Sequence, residues 1–198
     1  ILGRRTVELG GAYIASFDQV REFYRLCLEA PLLSHELVQI AVLDGTEVLY
    51  LARHEGRAPL RLSASIGDRF PAASTAVGNA LLSLLTRDEV ATRFSSRASF
   101  PQRTDRSTAN VTQLQRKLEL VRERRYAIDD GEVHPGVYGI AMIIPSRASG
   151  EPPLAIGASL VESGGGDTIR DGVILELRDI IAQLANPMMI GEPSNTLN

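Results

Sequence analysis

An α+β fold, with helices packed on an antiparallel sheet in a single domain, is what this chain predicts. Three observations lead there. Short apolar runs that read as strands come in pairs joined by tight turns, helical periodicities fall before, between and after those pairs, and no regular β-α-β alternation of the kind a parallel sheet needs runs through the chain. With 198 residues, 44% of them hydrophobic, the chain can bury the core of one ample domain.

The elements follow in order. Phe17, Val20, Tyr24, Cys27 and Leu28 recur at helical spacing, so residues 12–31 read as one amphipathic helix that Pro31 ends. Leu37 to Leu43 is an apolar strand, Asp44-Gly45 a two-residue hairpin turn, and Thr46 to Ala52 the returning strand. Pro59 precedes a third strand, Leu60 to Ile66, which stops at Gly67-Asp68, and Pro71 then breaks regular pairing. Thr75 to Leu85 is a helix. Thr86 caps a further short one, with Asp88 and Glu89 in its first turn. Residues 95–109, polar and carrying Pro101, form a loop. Asn110 caps a helix whose inner face is Val111, Leu114, Leu118 and Val121, its charged outer face being solvated surface. Tyr126 to Ile128 leads into Asp129-Asp130-Gly131-Glu132. Val137 to Ile144 and Leu154 to Val161 are strands framed by Pro145 and Pro152-Pro153. Ser163 to Asp167 is a flexible glycine-rich loop, Ile169 to Leu184 mark a last helix, and the end of the chain, 187–198, reads as a flexible tail beyond a domain spanning 1–186.

Charge and composition remove several functions. The net charge is −3 and the arginines are scattered, so this chain has no basic face with which to grip nucleic acid. No apolar run reaches the roughly 20 residues that a membrane-spanning helix needs. Cys27 is the sole cysteine, which excludes an internal disulfide and fits a reducing, cytoplasmic setting. The N-terminus, Ile1-Leu2-Gly3-Arg4-Arg5, has neither a signal peptide's apolar stretch nor an initiator Met, and reads as a cut inside a longer protein.

The candidate chemistry is concentrated in two segments. Between Gly67 and Leu82 a run of small residues opens a helix at Ser74 and Thr75. Backbone N–H groups and the helix dipole favour a carboxylate or another anion at such a place. The competing reading is a tight helix-on-sheet contact that needs Ala for spacing. The second segment, Asp129 to His134, carries ligand types suited to a metal. No second cluster with ligand spacing accompanies it, and a solvated loop before a strand accounts for it more simply. Ser74 has no Gly-x-Ser-x-Gly around it and no His–acid pairing legible from spacing. Gly164-Gly165-Gly166 is not followed by the Gly-Lys-Ser/Thr of a phosphate loop. His35 and His54, near strand ends, read as surface or interface histidines, and Cys27 as core.

Four stretches in order resemble the effector-binding domain of the IclR family of bacterial transcription regulators. They are Leu2-Gly3 with Val7 to Tyr13; the hairpin Ile40 to Leu51; Gly67 to Leu82, similar to a Gly-x-x-x-Pro-x-His-Ala-Ser-x-x-Gly-Lys-Ala-x-Leu motif; and Val121-Arg122 through Tyr126 to Gly136-Val137, similar to an Arg-x-x-Gly-Tyr segment with its acidic loop. The chain departs from the pattern at Ala73 (commonly His), Asn79 (commonly Lys) and Arg125 (commonly Gly). The resemblance implies a GAF-like domain that is a sensor rather than an enzyme, without cofactor or metal, assembling as a homodimer or homotetramer. It also implies that DNA is bound by a winged helix-turn-helix lying before Ile1. Carried over residue by residue, it places the effector against Phe70, Ala76, Val77, Asp129, Val137, Gly139, Ala158 and Leu160. The last four are expected to share one sheet face, since alternate strand positions do. That wall is mostly apolar, which suits a small apolar or aromatic organic acid better than a sugar. The alternative is a small hydrolase using Ser74 or Thr75 with the acidic loop 129–134.

Overall fold

The computed structural model describes residues 3–15, 18–56, 64–147, 149–161 and 166–185. The expected tail, 187–198, and residues 163–165 of the glycine loop lie outside them. Among the described residues the strands are β1 Leu37–Asp44, β2 Glu47–Glu55, β3 Arg69–Pro71, β4 Ala127–Asp130, β5 Val137–Ile144 and β6 Leu154–Val161. They form one antiparallel sheet in the order β3-β2-β1-β6-β5-β4. The helices are α1 Arg4–Ala15, α2 Asp18–Glu29, α3 Ala76–Leu82, α4 Arg87–Arg93, α5 Val111–Arg124 and α6 Gly166–Ala185.

The sheet separates two cores, because alternate strand residues face opposite sides. On one side Phe23, Leu26 and Cys27 of α2 and Val173, Leu177, Ile180 and Leu184 of α6 pack on Val38, Ile40, Ile140, Met142, Ile156 and Leu160. Burial there pushes the Cys27 thiol up to about 12, so it stays an inert apolar filler. On the other side Ala76, Ala80 and Leu81 of α3, Val90 of α4 and Leu114 and Leu118 of α5 cover Ala41, Val48, Tyr50, Ala141 and Ala155.

Local chemistry sets the turns and caps. Gly45 holds φ at +63° in the β1–β2 turn, a conformation glycine adopts without strain. Thr75 and Asn110 accept hydrogen bonds from Gly78 and Gln113 at the starts of α3 and α5, and Thr86 forms a reciprocal capping box with Glu89 at the start of α4.

Several expectations are corrected. The single helix over 12–31 is two helices: it begins earlier, at Arg4, and α2 ends at Glu29. The third strand does not occupy Leu60–Ile66. Residues 60–63 lie outside the described set, Ala64 and Ser65 are irregular, and Ile66-Gly67 is a turn. The strand is instead Arg69–Pro71, pairing with Glu47, Val48 and Leu49. Pro71 thus closes a strand rather than breaking one, as an edge position permits. The helix expected over 75–85 stops at Leu82, with Ser83 as its C-cap. His54 is buried, its Nε2 3.4 Å from the Ser34 carbonyl oxygen.

Candidate functional site: a cavity under helix α3

The small-residue segment positions α3 by close approach. Thr75 Oγ1 accepts from Gly78 N at 3.1 Å and donates to the Pro71 carbonyl at 3.3 Å, folding the Pro71–Thr75 turn onto the helix start. Asn79 Nδ2 donates to the carbonyls of Thr75, at 2.7 Å, and Ala73, at 3.2 Å. The amide therefore stitches the turn to the helix. Beneath α3 the sheet carries glycines where it must. A Cβ on Gly157 would lie 2.8 Å from Val77 Cγ1, and one on Gly139 would lie 3.3 Å from Ala76 Cβ. The alanines space the helix from the sheet, as the packing reading expects, and the helix start roofs a cavity.

That cavity, about 40 Å³, is bounded by the sheet, the α3 start and the loop after β4. Of the eight residues implied by the resemblance, seven line it: Phe70, Ala76, Val77, Asp129, Val137, Gly139 and Ala158. Leu160 does not. Val137 pairs with Val161 and Gly139 with Ser159, and directly paired residues of neighbouring strands share a face. Position 159 of β6 therefore faces the cavity, while the side chains of Ala158 and Leu160 join the α2–α6 core. The expected common face for residues 137, 139, 158 and 160 is thus overturned by the β5–β6 register.

The structure adds lining residues that the sequence reading missed, among them Gln39, Tyr50, Val133, His134, Gly157 and Ser159. Tyr50 faces the cavity in regular alternation with Val48, and a bulge follows it: Ile40 pairs with Ala52 but Ala41 with Tyr50, so Leu51 is the extra residue and Ala52 turns to the α2–α6 core. Phe70 stacks edge-on with Tyr50, ring centroids 5.6 Å apart, and lies 6.2 Å from the His134 ring. No local signal marks β1 and β6 residues as neighbours of the acidic loop; only sheet order makes them so.

The electrostatics of the site centre on Asp129. Burial raises its carboxyl to about 7, with the nearby Glu132 carboxylate adding to the rise, while the Glu132 and Val133 N–H groups and Lys117 oppose it. Asp129 Oδ1 accepts from the Glu132 N–H at 2.7 Å. Behind the loop the chain's one lysine, Lys117, reaches from α5 to Glu132 Oε1 at 2.5 Å, Thr108 Oγ1 at 2.9 Å and the Ala73 carbonyl at 3.0 Å. Thr108 also donates to Glu132 Oε2 at 2.8 Å. One ammonium thereby ties the α3 turn, the 108 region and the acidic loop together. Burial lowers the Lys117 pKa and Glu132 offsets part of that. His134 is held below its usual range by burial and by the Arg103 guanidinium.

Ser74 Oγ is buried without a hydrogen-bond partner, and Thr75 Oγ1 is engaged as the α3 cap, so no base stands against either hydroxyl. Among the described residues no three of the His, Cys, Asp and Glu side chains converge as a metal site. No helix among them is long and apolar enough to cross a membrane.

Comparison with known proteins places this geometry. The family described as bacterial transcriptional regulator IclR C-terminal matches residues 12–180. The HTH-type transcriptional regulator KdgR of Dickeya chrysanthemi is 29% identical over 140 residues, covering 71% of this chain and 46% of the relative. The HTH-type transcriptional repressor AllR of Escherichia coli is 28% identical over 143 residues, covering 72% and 52%. The chain spans about half the length of these curated relatives. Among solved structures, the Agobacterium tumefaciens repressor BlcR superposes with a TM-score of 0.78 at 31% identity, covering 96% of this chain and 75% of that one. The C-terminal domain of E. coli KdgR gives 0.64 at 26%, covering 87% and 98%. With the fold, the small-residue turn and the acidic loop all inside the matched span, this chain belongs to the family of IclR C-terminal domains of bacterial transcriptional regulators.

Proposed function

We propose that the domain is the effector sensor of a transcriptional regulator: a small organic acid with an apolar or aromatic body binds in the cavity under α3, and DNA is contacted by a separate helix-turn-helix domain upstream. The observation that carries this reading is the meeting of Phe70, Val77, Val133 and Val137 with the buried Asp129 in one cavity roofed by the α3 start. Apolar walls with a few convergent polar groups are the usual composition of a small-molecule site. Asp129, half-protonated near neutral pH, donates a hydrogen bond to a ligand carboxylate when it holds its proton.

At about 40 Å³ the cavity has room for roughly three waters. An organic acid enters only when one of the walls yields. The wall that yields is the loop after β4, where the lining residues Val133 and His134 stand between Gly131 and Gly136, whose φ values are +68° and +74°. Effector binding in this reading displaces that loop and pulls on Lys117 and the α3 turn, which carries the signal away from the cavity. The domain works as a homodimer or homotetramer in a cytoplasmic regulator. Leu9 of α1 and Leu28 of α2, exposed at 72% and 70%, are among the apolar residues that such contacts would cover.

A thermal-shift screen of aromatic and short aliphatic acids against sugars and polyols tests the reading. A saturable rise in midpoint with an acid, abolished by filling the cavity with Ser159→Leu, is the expected result. Saturable binding of a sugar with none for any acid would contradict the ligand class. Turnover of an ester or amide lost in Ser74→Ala would favour a hydrolase.

A further inference from the structure

A second concavity lies at the opposite end of α3 from the cavity above. It is a groove of about 700 Å³ between the C-terminal ends of α3, α5 and α6, floored by β5. Its apolar surface comes from Leu84, Tyr126, Met142 and Ile181, and its charge from Arg122, Arg125 and Arg178, with no Asp or Glu among the described lining residues. In a chain whose net charge is −3, three guanidiniums around an apolar floor form a local reversal of sign. A fourth stands close by, since Arg124 stacks over the Tyr126 ring at 4.9 Å.

The three lining arginines are not equivalent. Arg122 is committed to structure: its Nε donates to the Ser83 carbonyl at 2.9 Å and its Nη2 to the Leu85 carbonyl at 2.7 Å, closing the C-terminal end of α3. Arg125 and Arg178 are exposed and have no carboxylate partner among the described residues. Arg125 is moreover the one non-glycine among the described residues with positive φ, +67°, at the C-cap of α5. Glycine occupies that conformation without strain, so a long cationic side chain there is held against a local backbone cost.

Volume, apolar floor and unpaired cations together specify a ligand. At about 700 Å³ the groove falls in the range of sites for small organic molecules, roughly 300–1,000 Å³. The geometry points to a second ligand site, separate from the cavity under α3, that takes an amphipathic carboxylate. Its acid group pairs with Arg125 and Arg178, and its hydrocarbon tail lies on Leu84, Met142 and Ile181. Guanidiniums bind carboxylates through paired, charge-assisted hydrogen bonds, so the neutral amide of the same acid is a poor substitute.

Octanoate and octanamide are the probes, and calorimetric titration of the 198-residue chain is the measurement. Arg125→Gly removes a cation while relieving the backbone, and Arg178→Gln changes an exposed helical position, so the double variant keeps its fold. Labelling methionine methyls locates the ligand, since Met142 lines the groove. Saturable octanoate binding that shifts the Met142 methyl, weakens roughly tenfold or more in Arg125→Gly/Arg178→Gln, and is at least about tenfold weaker for octanamide is the expected result. The proposal is overturned if octanoate does not bind, if it binds the double variant equally well, or if the Met142 methyl stays still. It is also overturned if light scattering shows wild-type dimers that the double variant dissolves, because the groove then receives a second copy of the chain. Octanoate that binds the double variant equally well and leaves the Met142 methyl still would point to the cavity under α3 instead, so the Met142 signal distinguishes failure of this site from failure of that one.

Discussion

Replacing Asp129 by Asn should stabilise the domain at alkaline pH and do little at acid pH. The carboxyl is 8% exposed and titrates near 7 instead of its ordinary 3.8, chiefly because burial disfavours the charged form. A carboxyl raised in the folded state holds a proton that the unfolded chain has released. Between those two values the native state therefore binds more protons, and stability falls as pH rises. At about 1.4 kcal/mol per pH unit the full penalty reaches roughly 4 kcal/mol above pH 7, of which about 2–3 kcal/mol accrues between pH 5 and pH 8. Asparagine carries no charge, and its Oδ1 can still accept the Glu132 N–H that Asp129 Oδ1 takes at 2.7 Å. Urea unfolding of both proteins at pH 5 and pH 8 is the assay. The stability difference in favour of Asp129→Asn should widen by about 2–3 kcal/mol on going to pH 8. Parallel pH profiles, or a difference that widens toward acid pH, would refute the argument that burial holds this carboxyl near neutrality.

Three further outcomes follow from the same geometry. Ala76→Phe puts a ring where Ala76 Cβ already stands 3.3 Å from the position of a Gly139 Cβ, beside a cavity of about 40 Å³; overpacking should cost about 1–3 kcal/mol or more, and an unchanged midpoint with lost ligand response would show instead that the cleft yields freely. Lys117→Met strands the Glu132 carboxylate that it meets at 2.5 Å, and should cost about 3–5 kcal/mol with faster amide exchange over residues 131–137, both largely restored by adding Glu132→Gln; a double variant no better than Lys117→Met would remove the ion pair from the account. Light scattering at tens of micromolar should give a homo-oligomer that Leu9→Glu/Leu28→Glu weakens, and a monomer mass for the parent protein would end that proposal.

What the sequence determined by itself is what short-range chemistry decides. The turn at Gly45 was legible because a two-residue hairpin needs a residue at ease with positive φ, but the pairing of Asp44 with Glu47 makes it Gly45-Thr46, one residue later than the expected Asp44-Gly45. Thr75, Thr86 and Asn110 were legible as caps because each hydroxyl or amide satisfies N–H groups two or three residues on. β5 and β6 were read to the residue because each is a continuous apolar run between turns. Within a strand, alternation tells which residues share a face, and so Val137 and Gly139 were placed together. Which residues of β6 join them is a matter of register between two strands, and no property of either strand alone fixes it. The pairing of Gly139 with Ser159 sends Leu160 to the α2–α6 core and brings Ser159 to the cavity. The same holds for β3, too short to carry a pattern and made a strand by its pairing with Val48, and for Ala52, sent to the α2–α6 core by the bulge at Leu51. Lys117 was visible as the sole lysine, yet its partners at Ala73 and Glu132 stand 44 and 15 residues away. Contacts of that range exist only once α5, the α3 turn and the acidic loop have packed, so the chemistry of the cavity is a property of the tertiary structure.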